Sequence, residues 1–142
     1  MTTKKRRFTR ALLLRTAWVL NALICLWIIF QVREAYLLTA ASLDAGPLLM
    51  NFVDNVIVII LAVVAMGVLV LVEQHYKNNL PKTFFQVTGI QLVILGVIDT
   101  IQGSVYNLDG IFPARAYHLQ IVVLLGVGLL MYFYGRRTQW EA

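Results

Sequence analysis

The chain has 142 residues, 60% of them hydrophobic and only 13% charged, with a formal net charge of +5. That balance is too apolar for an ordinary soluble domain of this length. The single cysteine, Cys25, excludes an internal disulfide and a cysteine-based zinc cluster.

A bilayer core roughly 30 Å thick demands a helix of about 20 apolar residues. Four such runs stand in the sequence, at 11–32, 52–72, 83–106 and 116–134. They occupy most of 1–142 and leave no room for a separate soluble domain. The expected fold is all-α: one integral membrane four-helix bundle, up-down-up-down, with short connections.

Charge sets the expected orientation. Lys4, Lys5, Arg6, Arg7, Arg10, Arg15, Lys77, Lys82, Arg136 and Arg137 fall on one side of this arrangement, and only Arg33 and Arg115 on the other. Cytoplasmic segments retain such an excess, which places both termini and the 73–82 loop in the cytoplasm. These cations all border the membrane, so attraction to lipid headgroups accounts for them and no nucleic-acid partner is expected. The first apolar run is too long for a signal-peptide core and is expected to remain in the membrane.

In span one, Arg15 can snorkel to the headgroups, and Asn21 lies in the cytoplasmic half. Trp18, Trp27 and Tyr36 suit packing or interfacial anchoring. The "VREAYLL" stretch can prolong the helix, and Gly46-Pro47 marks a turn. Span two opens on "NFVDN". There Asn51 can cap the helix, and Asp54 is expected in the first turn, where the helix dipole favours a carboxylate. Glu73, His75 and Lys77 belong to a wet turn, and Pro81 suits the start of span three.

Span three is unlike the others. At about 100° per residue, Thr88, Gln91, Leu95, Asp99 and Gln102 fall within one arc of about 80°. Gly89, Gly96 and Gly103 recur every seven residues along a neighbouring stripe. Small residues let a second helix approach closely in lipid. An ionised Asp costs about 2.5–3.5 kcal/mol to insert at a helix centre, so this face is expected to look into protein or a watery cavity. Asp99 falls in the outer half, where Arg33, Asp54 and Arg115 also lie. An Asp99–Arg115 or an Asp99–Arg33 ion pair is open at this point.

Asp109-Gly110 and Pro113 form the outer turn before span four. Gly126 and Gly128 can permit close packing there, and "YFYGRRTQW" ends the chain's last span with aromatic and cationic interface residues.

No serine or cysteine stands beside a base and an orienting acid, so no catalytic residue and no metal site are expected. His75 and His118 fall on opposite sides and cannot clasp one haem between them. Either one alone could ligate a haem or pigment, although no cofactor is expected.

The "VREAYLL" exit, the "FVDNVIV" entry, "PKTFFQVTGIQLVILGVID" and the basic termini resemble the phosphate-starvation-inducible E family of small four-span bacterial membrane proteins. The resemblance covers most of the chain. It implies the four-span architecture and a bacterial inner-membrane location, and carries no activity to any residue.

Three functions follow as expectations. The first is a small non-catalytic subunit that packs with itself or with other membrane proteins in a larger complex. The second is a proton- or ion-coupled transporter or channel using Asp99, with Gln91 and Gln102 along the path. The third is a single-histidine haem or pigment subunit.

Overall fold

The computed structural model describes residues 3–43, 46–109 and 114–137, with side chains described for 8–41, 43, 46–104 and 118–137. Among the described residues the secondary structure is helical: α1 (Thr3–Ser42), α2 (Pro47–Asn78), α3 (Leu80–Asp109) and α4 (Ala114–Arg137). Four stretches are long and apolar enough to cross a membrane, namely Phe8–Ala41, Pro47–Asn78, Leu80–Ser104 and His118–Arg137. In length and composition the chain is thus an integral membrane protein.

The helices overrun the spans expected from hydropathy. α1 continues through "VREAYLL" to Ser42, because nothing in that stretch breaks a helix. α2 begins earlier than expected, at Pro47. Gly46 is extended, with φ −61° and ψ 145°, and serves as its N-cap without a side-chain bond. Proline suits the following position, since its fixed φ is helical and its missing N–H would go unbonded there anyway. Asn51 is therefore inside the helix and is not its cap. Asp54 lies about two turns in, beyond the reach of the terminal dipole.

A single non-helical residue, Asn79, separates α2 from α3. Its N–H donates to the His75 carbonyl at 3.1 Å, closing α2. Its own carbonyl accepts from the Thr83 N–H at 3.1 Å, opening α3. Pro81 sits in the first turn of α3, as its chemistry suggests.

Side-chain pairings fix the relative directions. Asn21 meets Tyr76 and Arg33 meets Asp54, so α1 and α2 run antiparallel. Asn21 meets Thr88 and Gln31 meets Asp99, so α1 and α3 run parallel. Gly89 meets Tyr132 and Asp99 meets Gln120, so α3 and α4 run antiparallel. Arg10, Arg15, Lys77, Lys82, Arg136 and Arg137 thereby gather at one end.

α3 is the hub. It packs on each of the other three helices, whereas among the described residues α4 packs on α3 alone. Within the most apolar window of each helix, 39% of α3 is buried against 6% of α2 and 11% of α4. α2 shows Ile59, Val63 and Met66 outward, as a lipid-facing helix does.

Small residues bring α3 and α4 together. A Cβ on Gly89 would lie 2.6 Å from the Gly128 carbonyl and 2.7 Å from the Tyr132 nitrogen. One on Gly96 would lie 2.8 Å from the Leu125 side chain. Gly128 and Gly135 are equally crowded from the α4 side, by Val93 and Gln86 among others, while Gly126 faces open space. Gly103 is half-buried. The glycine face of span three is thus occupied within the chain, at least along Gly89 and Gly96, which removes the need for a separate partner helix there.

Candidate functional site

The polar residues of α3 fall into two layers. The layer nearer the basic end centres on Asn21, which is fully buried at 0% exposure. Its Nδ2 donates to the Tyr76 hydroxyl at 2.6 Å and to the Ala17 carbonyl at 3.0 Å. The Thr88 hydroxyl donates to its Oδ1 across a longer 3.4 Å. Gln91 donates through Nε2 to the Asn21 carbonyl at 3.1 Å and to Cys25 Sγ at 3.0 Å. Its own Oε1 is buried without a hydrogen-bond partner. Ala17, Val72 and Tyr76 form the apolar cluster beneath, with Leu14, Trp18, Phe84 and Val87 packed around it.

The second layer centres on Asp99, which is 2% exposed. Gln120 of α4 donates to Oδ2 at 2.8 Å, and Gln31 of α1 donates to Oδ1 at 3.3 Å. Gln102 donates to the main-chain carbonyl of Gln31 at 3.0 Å, a further tie between α3 and α1. Eight residues separate Gln91 from Asp99, about 12 Å along the helix axis. Leu95 and Ile98, both buried, fill the interval. The layers are therefore separated by hydrocarbon.

Of the two ion pairs left open for Asp99, the one with Arg33 does not form. Arg33 instead makes a two-pronged contact with Asp54, Nε to Oδ1 at 2.9 Å and Nη2 to Oδ2 at 2.9 Å. The long reach of α1 past Val32 carries Arg33 to the start of α2, away from α3. Arg115 lies in α4, but its side chain is outside the described residues. Among the described residues no cation reaches Asp99, and its neighbours are neutral amides.

This has a chemical consequence. A carboxylate can only accept hydrogen bonds, whereas a carboxamide offers two donors on one side and an acceptor on the other. A guanidinium partner would hold the charged form alone. Two carboxamides can serve either form, because turning an amide about its last bond presents oxygen in place of N–H. The same turn supplies neutral oxygen ligands beside the carboxylate.

The stripe of Thr88, Gln91, Asp99 and Gln102 is thus buried as a set, at 7%, 5%, 2% and 4% exposure. Its partners on other helices, Asn21, Gln31 and Gln120, were not singled out by periodicity, nor was Tyr76, which accepts from Asn21. Their signal was present: each is a polar group in or beside an apolar run. His75 and His118 are both exposed and lie at opposite ends of the helices. Nδ1 of His75 is 2.8 Å from the Leu71 carbonyl. Among the described residues no three histidine, cysteine or acidic side chains group as a metal site.

Comparison with known protein families, curated proteins and solved structures found no match.

Proposed function

We propose that the chain is a membrane protein that passes a proton or a small cation by way of Asp99. One observation carries this reading: a buried carboxylate shared by three helices whose described partners are carboxamides. Charged groups inside membrane helices are expensive, and an ionisable residue there is a candidate for an ion or proton pathway by default. The bilayer arrangement in this reading is up-down-up-down with both termini and the 73–82 loop cytoplasmic, supported by the basic residues gathered at one end. The resemblance to the phosphate-starvation-inducible E family supports a bacterial inner membrane.

Leu95 and Ile98 block a continuous wire between the layers. Passage therefore needs a movement of α4 or α1 against α3 that opens Asp99 to one side at a time. Purified chain in liposomes, with an internal pH dye and an imposed potential, tests the reading. Asp99→Asn is expected to reduce ion flux to that of empty liposomes while leaving the melting temperature nearly unchanged. Undiminished flux in that variant would falsify the proposal.

A second reading, a non-catalytic subunit of a larger membrane complex, draws on a different observation. α4 touches only α3 among the described residues, and its other sides expose Leu119, Val122, Leu130 and Phe133. A second chain covering this face would protect it in crosslinking. A strictly monomeric protein in mild detergent and in nanodiscs counts against this reading and leaves the first intact.

A further inference from the structure

At the basic end α1 and α2 leave a groove of about 500 Å³ between them. Its walls are apolar, formed by Leu14, Trp18 and Val19 of α1. Its mouth is charged, with Arg15 on one side and Lys77 and Glu73 on the other. Lys77 Nζ lies 3.0 Å from the Glu73 carboxylate, and among the described residues Arg15 makes no ion pair. Arg10 caps the end by donating to the Lys77 carbonyl at 3.2 Å. Two cations thus line the mouth against one carboxylate. The Trp18 indole N–H is tied to the Leu69 carbonyl at 3.3 Å, so the ring stands as a fixed wall.

An apolar slot with a positive mouth at the membrane surface has the polarity of one ligand class. We propose that this groove seats an anionic glycerophospholipid, its phosphate at Arg15 and Lys77 and an acyl chain along Trp18 and Val19. A free phosphate ion would gain nothing from the apolar walls. A zwitterionic lipid would bring its own cation into a mouth already in excess.

The test uses Trp18 as a local reporter. Trp27→Phe and Trp140→Phe leave it as the only tryptophan, and the full chain is reconstituted with brominated lipids. Brominated phosphatidylglycerol should quench Trp18 at lower mole fraction than brominated phosphatidylcholine, by about fivefold for each cation engaged. Arg15→Gln with Lys77→Gln should abolish that preference. Arg136→Gln with Arg137→Gln removes the same charge from the same end outside this groove and should leave it intact. Glu73→Gln should strengthen it, a gain that a damaged fold cannot mimic.

Equal quenching by the two lipids overturns the proposal. So does a preference that the two double variants lower equally, which would mean a diffuse surface field. Loss of the preference on adding inorganic phosphate at constant ionic strength would assign the mouth to the free ion and overturn the lipid.

Discussion

The two polar layers of α3 are built from similar residues and differ in what binds them. The Asn21 layer joins α1, α2 and α3 through neutral groups and a thiol. The Asp99 layer joins α1, α3 and α4 around one carboxylate. The first holds three helices that also share an apolar cluster around Tyr76. The second depends on α4, which has no other described seat. Interhelical hydrogen bonds in lipid average about 0.6 kcal/mol, so neither layer alone holds the bundle. The contrast separates a layer suited to setting helix register from one suited to changing its state.

Displacing α4 should separate the layers most sharply. Gly89→Leu puts a branched side chain where even a Cβ would meet the backbone of Gly128 and Tyr132, and backbone cannot swing aside. Overpacking of this kind costs about 1–3 kcal/mol, and the upper end is expected here. Thermal melting in detergent should fall and liposome flux should vanish. Alkylation of Cys25 should remain slow, because the Asn21 layer does not include α4. Fast alkylation would show that the two layers melt as one unit.

Asn21→Leu attacks the other side of the comparison. It leaves the Tyr76 hydroxyl and Thr88 without their described side-chain partner. The expected loss is about 1–2 kcal/mol, read by melting, with faster alkylation of Cys25. Flux per folded molecule should survive. Its disappearance would mean that the Asn21 layer belongs to the conducting route.

The smallest effect is expected at Gln91. Its Oε1 already lacks a partner, and its amide donates to a helical carbonyl and to sulfur. Gln91→Leu gives up two weak bonds and relieves a buried orphan acceptor, a group that costs about 1–3 kcal/mol. Melting should shift little, or rise. A loss as large as that of Asn21→Leu would place an ordered water at Oε1.

Much of this was legible in the sequence, for physical reasons that also mark its limits. Hydropathy shows four runs because lipid selects composition directly. The stripe from Thr88 to Gln102 was visible because α3 alone alternates polar and apolar faces. Gln31 and Gln120 escaped because each falls toward the outer end of its apolar run, where a polar side chain reads as an interface residue. The Arg33–Asp54 pair depended on how far α1 runs and where α2 begins. Proline at the first turn of α2 moved that start before Asn51, which carried Asp54 out of the dipole's reach. Gly128 and Gly126 were indistinguishable by spacing, and only the rotation of α4 on α3 turns one inward and the other out.

The single seat of α4 also bears on how the protein is made. α3 leaves the ribosome first, with Gly89 and Gly96 still uncovered and Asp99 gripped from α1 alone. Until α4 arrives, a carboxylate lacks half its described donors in a medium that penalises it by about 2.5–3.5 kcal/mol. The finished chain buries that group, whereas a copy stalled before α4 exposes it to lipid. A membrane protease or chaperone that samples such exposed polarity would thereby distinguish unfinished copies from complete ones.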